Sequence, residues 1–276
     1  MSVAFALMSM TCAAGNDLVF KGRMRAEASP WRHLALVAAV WTAAFAIPAF
    51  AGAPWAVAAV VWGLISGALG IAANLLLLEA MRTAEVGACA TIYRLNLVPA
   101  TLLAVIVLGE QLTAGRALAV SAAIGAVALI GRGVGTIGRA GLMLAVAACL
   151  LRAGMALGFK HGLAAGAGPM QLLFMNGVAW LAGAIAWGAF ARAEARTWRR
   201  SDLAWGLASG LLVTGNVLFL TLALAAAPLT QVLPITQLSF ILTMLAGCAL
   251  FGERVTASKL AATLLACGCV LLLAYA

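Results

Sequence analysis

Two stretches of this chain run without a formal charge for longer than any single helix or strand requires: residues 33–78, 46 in a row, and residues 203–252, 50 in a row. One helical crossing of a bilayer takes about 20 apolar residues, so each stretch holds two. Gly52-Ala53-Pro54 divides the first and Ala225-Ala226-Ala227-Pro228 the second, as turn chemistry requires. Continued along the chain, the pattern predicts ten helices, at 2–20, 34–51, 57–80, 86–108, 114–131, 140–160, 170–190, 203–224, 229–251 and 257–275. The first run has no basic flank and reads as a helix rather than a signal peptide. Strict alternation is missing and Ala and Leu dominate, which argues against barrel strands. Composition agrees: 65% of residues are hydrophobic and 9% charged, against about 45–50% and about 25% in a soluble domain. The expected fold is an all-α integral membrane protein with ten transmembrane helices.

The second half repeats the first. Leu108-Gly109-Glu110-Gln111-Leu112-Thr113 aligns with Phe251-Gly252-Glu253-Arg254-Val255-Thr256 at an offset of 143. At the same offset Trp62-Gly63-Leu64-Ile65-Ser66-Gly67 meets Trp205-Gly206-Leu207-Ala208-Ser209-Gly210, with five of six positions identical. At an offset of 139, Ala14, Gly15, Leu18, Phe20 and Lys21 meet Ala153, Gly154, Leu157, Phe159 and Lys160. Two five-helix repeats, 1–133 and 134–276, are therefore expected. Five is odd, so the repeats enter the membrane in opposite directions, an inverted topology. Loop charge runs the same way. Lys21, Arg23, Arg25 and Arg32 crowd the link between helices 1 and 2, whereas Arg192, Arg196, Arg199 and Arg200 crowd the link between helices 7 and 8. Basic loops stay cytoplasmic, so both termini are expected outside the cell membrane.

Charge and motifs exclude several classes. The net charge of +9 sits in short gaps between spans, where membrane proteins carry it, and no soluble domain presents a basic stripe to nucleic acid. The six cysteines lie inside apolar runs, with no spacing suited to a metal. No phosphate-binding loop, nucleotide turn or nucleophile-base order appears. No cofactor and no enzyme activity are expected.

With its paired Gly-Glu-x-x-Thr motifs, Gly109 to Thr113 and Gly252 to Thr256, and basic Lys21 and Lys160 ending helices 1 and 6, the chain resembles the EamA family of the drug/metabolite transporter superfamily. The resemblance covers essentially the whole chain. It implies ten helices in two repeats, a central cavity to which helices 4 and 9 contribute, and transport of small metabolites such as amino acids, mostly outward. Two features depart from the family pattern. Ala14-Gly15-Asn16-Asp17 stands where a Trp-Gly pair is common in helix 1, and members are usually drawn with cytoplasmic termini.

An ionisable side chain within a span costs about 2.5–3.5 kcal/mol and is a functional candidate by default. Arg94 lies about 22 Å from the end of its helix at Gly109, and Arg152 about 20 Å in from Arg139. Each offers a planar fork of donors to a carboxylate or phosphate, unless it serves a structural ion pair. At the 143 offset Arg94 meets Gln237 and Asn96 meets Ser239, so polar groups share equivalent rungs of helices 4 and 9. Substrate-binding candidates are Arg94, Gln237, Asn96, Tyr93, Arg152, Asn74, Asn216, Trp41 and Trp180. Coupling candidates are Asp17, Lys21 and Glu79, with Asp17 and Lys21 spaced four apart for mutual pairing. Glu110 and Glu253 are expected to cap helices 5 and 10. The expected function is secondary active transport, outward, of a small carboxylate-bearing metabolite such as an amino acid, by alternating access with the site between the two repeats. Alternatives are an uptake carrier or exchanger for such solutes, a passive facilitator, or an exporter of cationic amines using Asp17 or Glu79. A monomer suffices to enclose the cavity, and a dimer is compatible.

Overall fold

The computed structural model describes residues 1–24, 30–52, 54–83, 89, 92–131, 138–190, 200–239, 241–243, 246, 249 and 257–275. They form ten helices: α1 (Ser2–Met24), α2 (Pro30–Ala51), α3 (Val57–Thr83), α4 (Leu97–Leu108), α5 (Ala114–Gly131), α6 (Arg139–Ala164), α7 (Pro169–Phe190), α8 (Arg200–Ala226), α9 (Leu229–Gln237) and α10 (Ala257–Tyr275). Among the described residues there is no strand. Lipid offers the backbone no hydrogen bonds, so apolar segments satisfy their N–H and C=O groups internally as helices. Six helices are long and apolar enough to cross a membrane by themselves, α1, α2, α3, α6, α7 and α8. Pro30 and Pro169 open α2 and α7, where a missing N–H costs nothing. Gly109 closes α4 at φ 66° and Gly166 follows α6 at φ 85°, the left-handed geometry glycine accommodates without a Cβ clash.

Large apolar side chains face outward, and the interior combines an apolar core with buried polar groups. Ile47, Ile106, Leu118, Leu211 and Leu264 are each more than half exposed, while Ser66, Asn96, Asn176, Ser209 and Thr230 are buried. The main packing pairs are α2 with α7, α5 with α10, α4 with α9, α1 with α8, α3 with α6, α2 with α8, α3 with α7, α1 with α9, and α4 with α6. Replacing each helix by the one five places along returns this set onto itself. At its centre Trp41 and Trp180 pack at 5.6 Å between ring centroids, and the Trp41 indole N–H donates to the Leu173 carbonyl at 3.0 Å.

Small residues set how closely the helices approach. A Cβ on Gly67 would lie 2.6 Å from both the Ala179 Cβ and the Asn176 carbonyl oxygen, so α3 and α7 meet there at backbone distance. In lipid, such close packing replaces the hydrophobic drive that water would supply. Glu110, expected to cap helix 5, instead reaches across to α9: its carboxylate accepts from the Leu229 and Thr230 N–H groups at 2.7 and 2.9 Å. The turn points its side chain away from its own following helix, which the sequence position alone does not reveal. Glu253 lies outside the described residues.

Gly67→Ala is expected to cost ~1–3 kcal/mol, as overpacking against fixed backbone does. Gly268→Ala, with nothing within 4 Å of the added carbon, is expected to leave the melting temperature in detergent unchanged.

Candidate functional site

The fourth and ninth spans are both interrupted, and at matching positions. Ile92–Arg94 is helical, Leu95 and Asn96 form a turn, and α4 resumes at Leu97. α9 ends at Gln237, Leu238 turns, and helical backbone follows at 239 and 241–243. Two backbone bonds of each break correspond. Leu95 N–H donates to Ile92 O at 3.1 Å and Val98 N–H to Leu95 O at 2.9 Å; Leu238 N–H donates to Ile235 O at 3.1 Å and Ile241 N–H to Leu238 O at 2.9 Å. These are the tighter bonds of a 3₁₀ turn. In the fourth span the cause is direct: Pro99 has no N–H to offer Leu95 O, which takes Val98 instead.

Polar side chains gather at the two breaks. Arg94 pairs with Asp17 of α1, Nη2 to Oδ2 at 2.5 Å, and its Nη1 donates to the Ser239 hydroxyl at 2.9 Å. The Thr243 hydroxyl is 3.3 Å from the same Asp17 oxygen. Gln237 Nε2 donates to Asn96 Oδ1 at 3.2 Å, and Asn96 Nδ2 donates to the Tyr93 carbonyl at 2.6 Å. Asn74 on α3 donates to the Gly70 carbonyl at 2.9 Å and stands 3.5 Å from the Tyr93 hydroxyl. The charge of Arg94 is thus met by a carboxylate and a hydroxyl.

Arg152 is placed differently. Its Nη1 donates to the Met155 thioether at 3.1 Å, a weak acceptor, and among the described residues no carboxylate pairs with it. It borders two cavities. One, of about 250 Å³, is lined by Asp17, Tyr93, Arg94 and Trp180 and extends to His33 and Met81, beside the start of α2 and the end of α3. The other, of about 70 Å³, is lined by Asn96, Asn216, Phe159 and Leu233. Arg152 and Gln237 are common to both. A cavity with a guanidinium that meets no carboxylate among the described residues, hydrogen-bonding amides and aromatic walls is suited to hold a small anionic organic molecule.

The sequence matches the EamA-like transporter family over residues 1–132 and 139–275. The chain belongs to that family. It is accordingly a transporter of the drug/metabolite superfamily, a multi-pass membrane protein rather than an enzyme. No curated protein matches it. A solved structure, described only as the crystal structure of a protein, is similar over 99% of this chain and 97% of its own, with a TM-score of 0.82 at 13% identity. That likeness shows the fold.

Within this EamA-like fold the sequence candidates separate into groups. Arg94, Tyr93, Asn74, Trp180 and Asp17 line the larger cavity, Asn96 and Asn216 the smaller, and Arg152 and Gln237 both. Trp41 lines neither; it is buried, and its N–H is taken by Leu173. Asn216 Oδ1 accepts from Ser9 at 2.7 Å, so part of its capacity joins α1 to α8. Glu79 lies in the last turns of α3, away from both linings. Asp17 pairs with Arg94; the expected pairing with Lys21 lies outside the described residues, because the Lys21 side chain does. Sequence reasoning passed over Thr243, four residues after Ser239 and so on the same helical face; that spacing is the signal that would have found it. It also left His33 and Ser209 out of the site, although both line the larger cavity.

Asp17→Asn and Arg94→Gln are each expected to lower thermal stability, while the double variant loses less than the two together. A coupling of about 1 kcal/mol or more is expected for a half-buried ion pair, read from a double-mutant cycle of melting curves.

Proposed function

We propose that this EamA-like protein is a secondary active transporter of a small carboxylate-bearing metabolite, an amino acid being the fitting example. The observation that carries the reading is Arg152: a guanidinium within a span, with no carboxylate partner among the described residues, bordering both cavities. Holding that charge in a membrane is costly, and an anionic solute would offset the cost. Arg94 is already met by Asp17. The pair supplies a neutral, hydrogen-bonding wall, and Asp17 serves as the coupling candidate.

The transport cycle we infer is alternating access between two inverted repeats, 1–133 and 134–276. It is supported by the exchange symmetry of the helix packing, by the matched breaks at Leu95 and Leu238, and by the swapped loop charge. Breaks at mid-span beside the substrate are a recurring transporter feature. The larger cavity extends toward the basic link between α1 and α2, so on the positive-inside reading this conformation faces the cytoplasm. The protein then sits in the cell membrane with both termini outside, and outward transport is the direction we propose.

The test is a thermal-shift screen of purified protein against amino acids, organic anions, nucleobases and quaternary amines. A ligand that binds only the folded state raises the melting temperature. Stabilisation by carboxylates is expected, and Arg152→Gln is expected to weaken it at least about tenfold in apparent affinity, the worth of a hydrogen bond to a charged group. Stabilisation by cations alone would overturn the reading and favour amine export through Asp17 or Glu79.

A further inference from the structure

The smaller cavity stops beneath a dry layer. Phe159 of α6, Leu224 of α8 and Leu229 of α9 are fully buried, and Leu233 nearly so. Above that layer runs the turn from α8 to α9, held by two charged side chains from other helices. Glu110, at the end of α4, accepts from Leu229 N–H at 2.7 Å, Thr230 N–H at 2.9 Å and the Thr230 hydroxyl at 2.9 Å. Lys160, near the end of α6, donates to the Leu224 and Ala227 carbonyls, each at 2.7 Å. One grips the positive start of α9 and the other the negative end of α8, so each charge is matched to a helix terminus. Their own opposite charges attract as well.

We propose that Glu110 and Lys160 form a latch that holds the α8–α9 turn shut over one end of the cavity, and that its release opens that end. The inference rests on the alternating-access reading and adds the device that favours one conformation. Three observations combine. The latch is made of charge-assisted bonds, the strong class. It joins segments far apart in sequence, 119 residues for Glu110 to Leu229 and 64 for Lys160 to Leu224, so it fastens one helix group to another. The element it holds is short: α9 has nine residues, anchored at one end by the latch and joined at the other to the break at Leu238. Once unlatched, α9 swings on that break, carrying Leu229 and Leu233 out of the dry layer.

The test reads access to the cavity and needs no substrate. Leu220 lines the smaller cavity, so Leu220→Cys is labelled with a membrane-impermeant charged thiol reagent in right-side-out and inside-out vesicles, after subtracting the native cysteines' reaction. Adding Glu110→Ala is expected to raise labelling from one face at least about tenfold, the worth of one charged hydrogen bond, and to lower it from the other. Lys160→Met is expected to act in the same direction. Unchanged labelling, or an equal rise from both faces with a lower melting temperature, would overturn the latch and leave Glu110 a plain helix cap. If Glu110→Ala fails to fold, Thr230→Val removes one bond of the three. A one-sided rise of a few fold then supports the latch, and no change overturns it. Neither result touches the carboxylate reading, which stands or falls with Arg152→Gln binding.

Discussion

Lack of water in the bilayer interior governs this structure. Backbone polar groups carried into a span must be satisfied within the protein, and several polar side chains find their partners on helices far apart in sequence. Asp17 meets Arg94, Thr243 meets Asp17, Ser209 meets Asn16, and Asn176 meets Ser66. The same rule that makes each segment a helix thereby ties the helices together where side chains are polar. Glycine and alanine then let the backbones close around those ties.

The breaks in the fourth and ninth spans follow from the same rule. A 3₁₀ turn keeps the backbone bonded while it redirects the chain. Each break therefore places side chains at mid-span without leaving a bare carbonyl in lipid. Tyr93, Arg94 and Asn96 occupy one break, Gln237 and Ser239 the other. Polar side chains and backbone irregularity share one level of the bundle, which is where irregular backbone is tolerated if it lines a cavity.

Much of this was legible in the chain. Span positions follow from the lengths of uncharged runs, because the penalty for charge in lipid is large and local. The rungs of helices 4 and 9 that meet at the cavity were visible as Arg94 opposite Gln237 and Asn96 opposite Ser239. Pairing was not legible. Asp17 bonds Arg94, 77 residues distant, a contact set by helix packing and invisible to spacing along the chain. Glu110 misled for the same reason: a carboxylate at a turn caps whichever helix start the fold brings near, here α9. Trp41 and Trp180 look equivalent as aromatic walls, and only packing shows that one faces a cavity while the other lies in the core.

The two halves share a scaffold but not a pocket. Arg152 stands at the 139 offset from Ala13, and both border the smaller cavity, so one copy brings a cation where the other brings a methyl group. On the proposed transport cycle, such lopsidedness lets a solute load and unload at unequal speeds on the two sides of the membrane. It cannot make the protein a one-way valve. Around a closed cycle the forward and backward rate products must balance unless a gradient is spent, so the direction of net flow belongs to the cell's gradients and only its pace to the arginine.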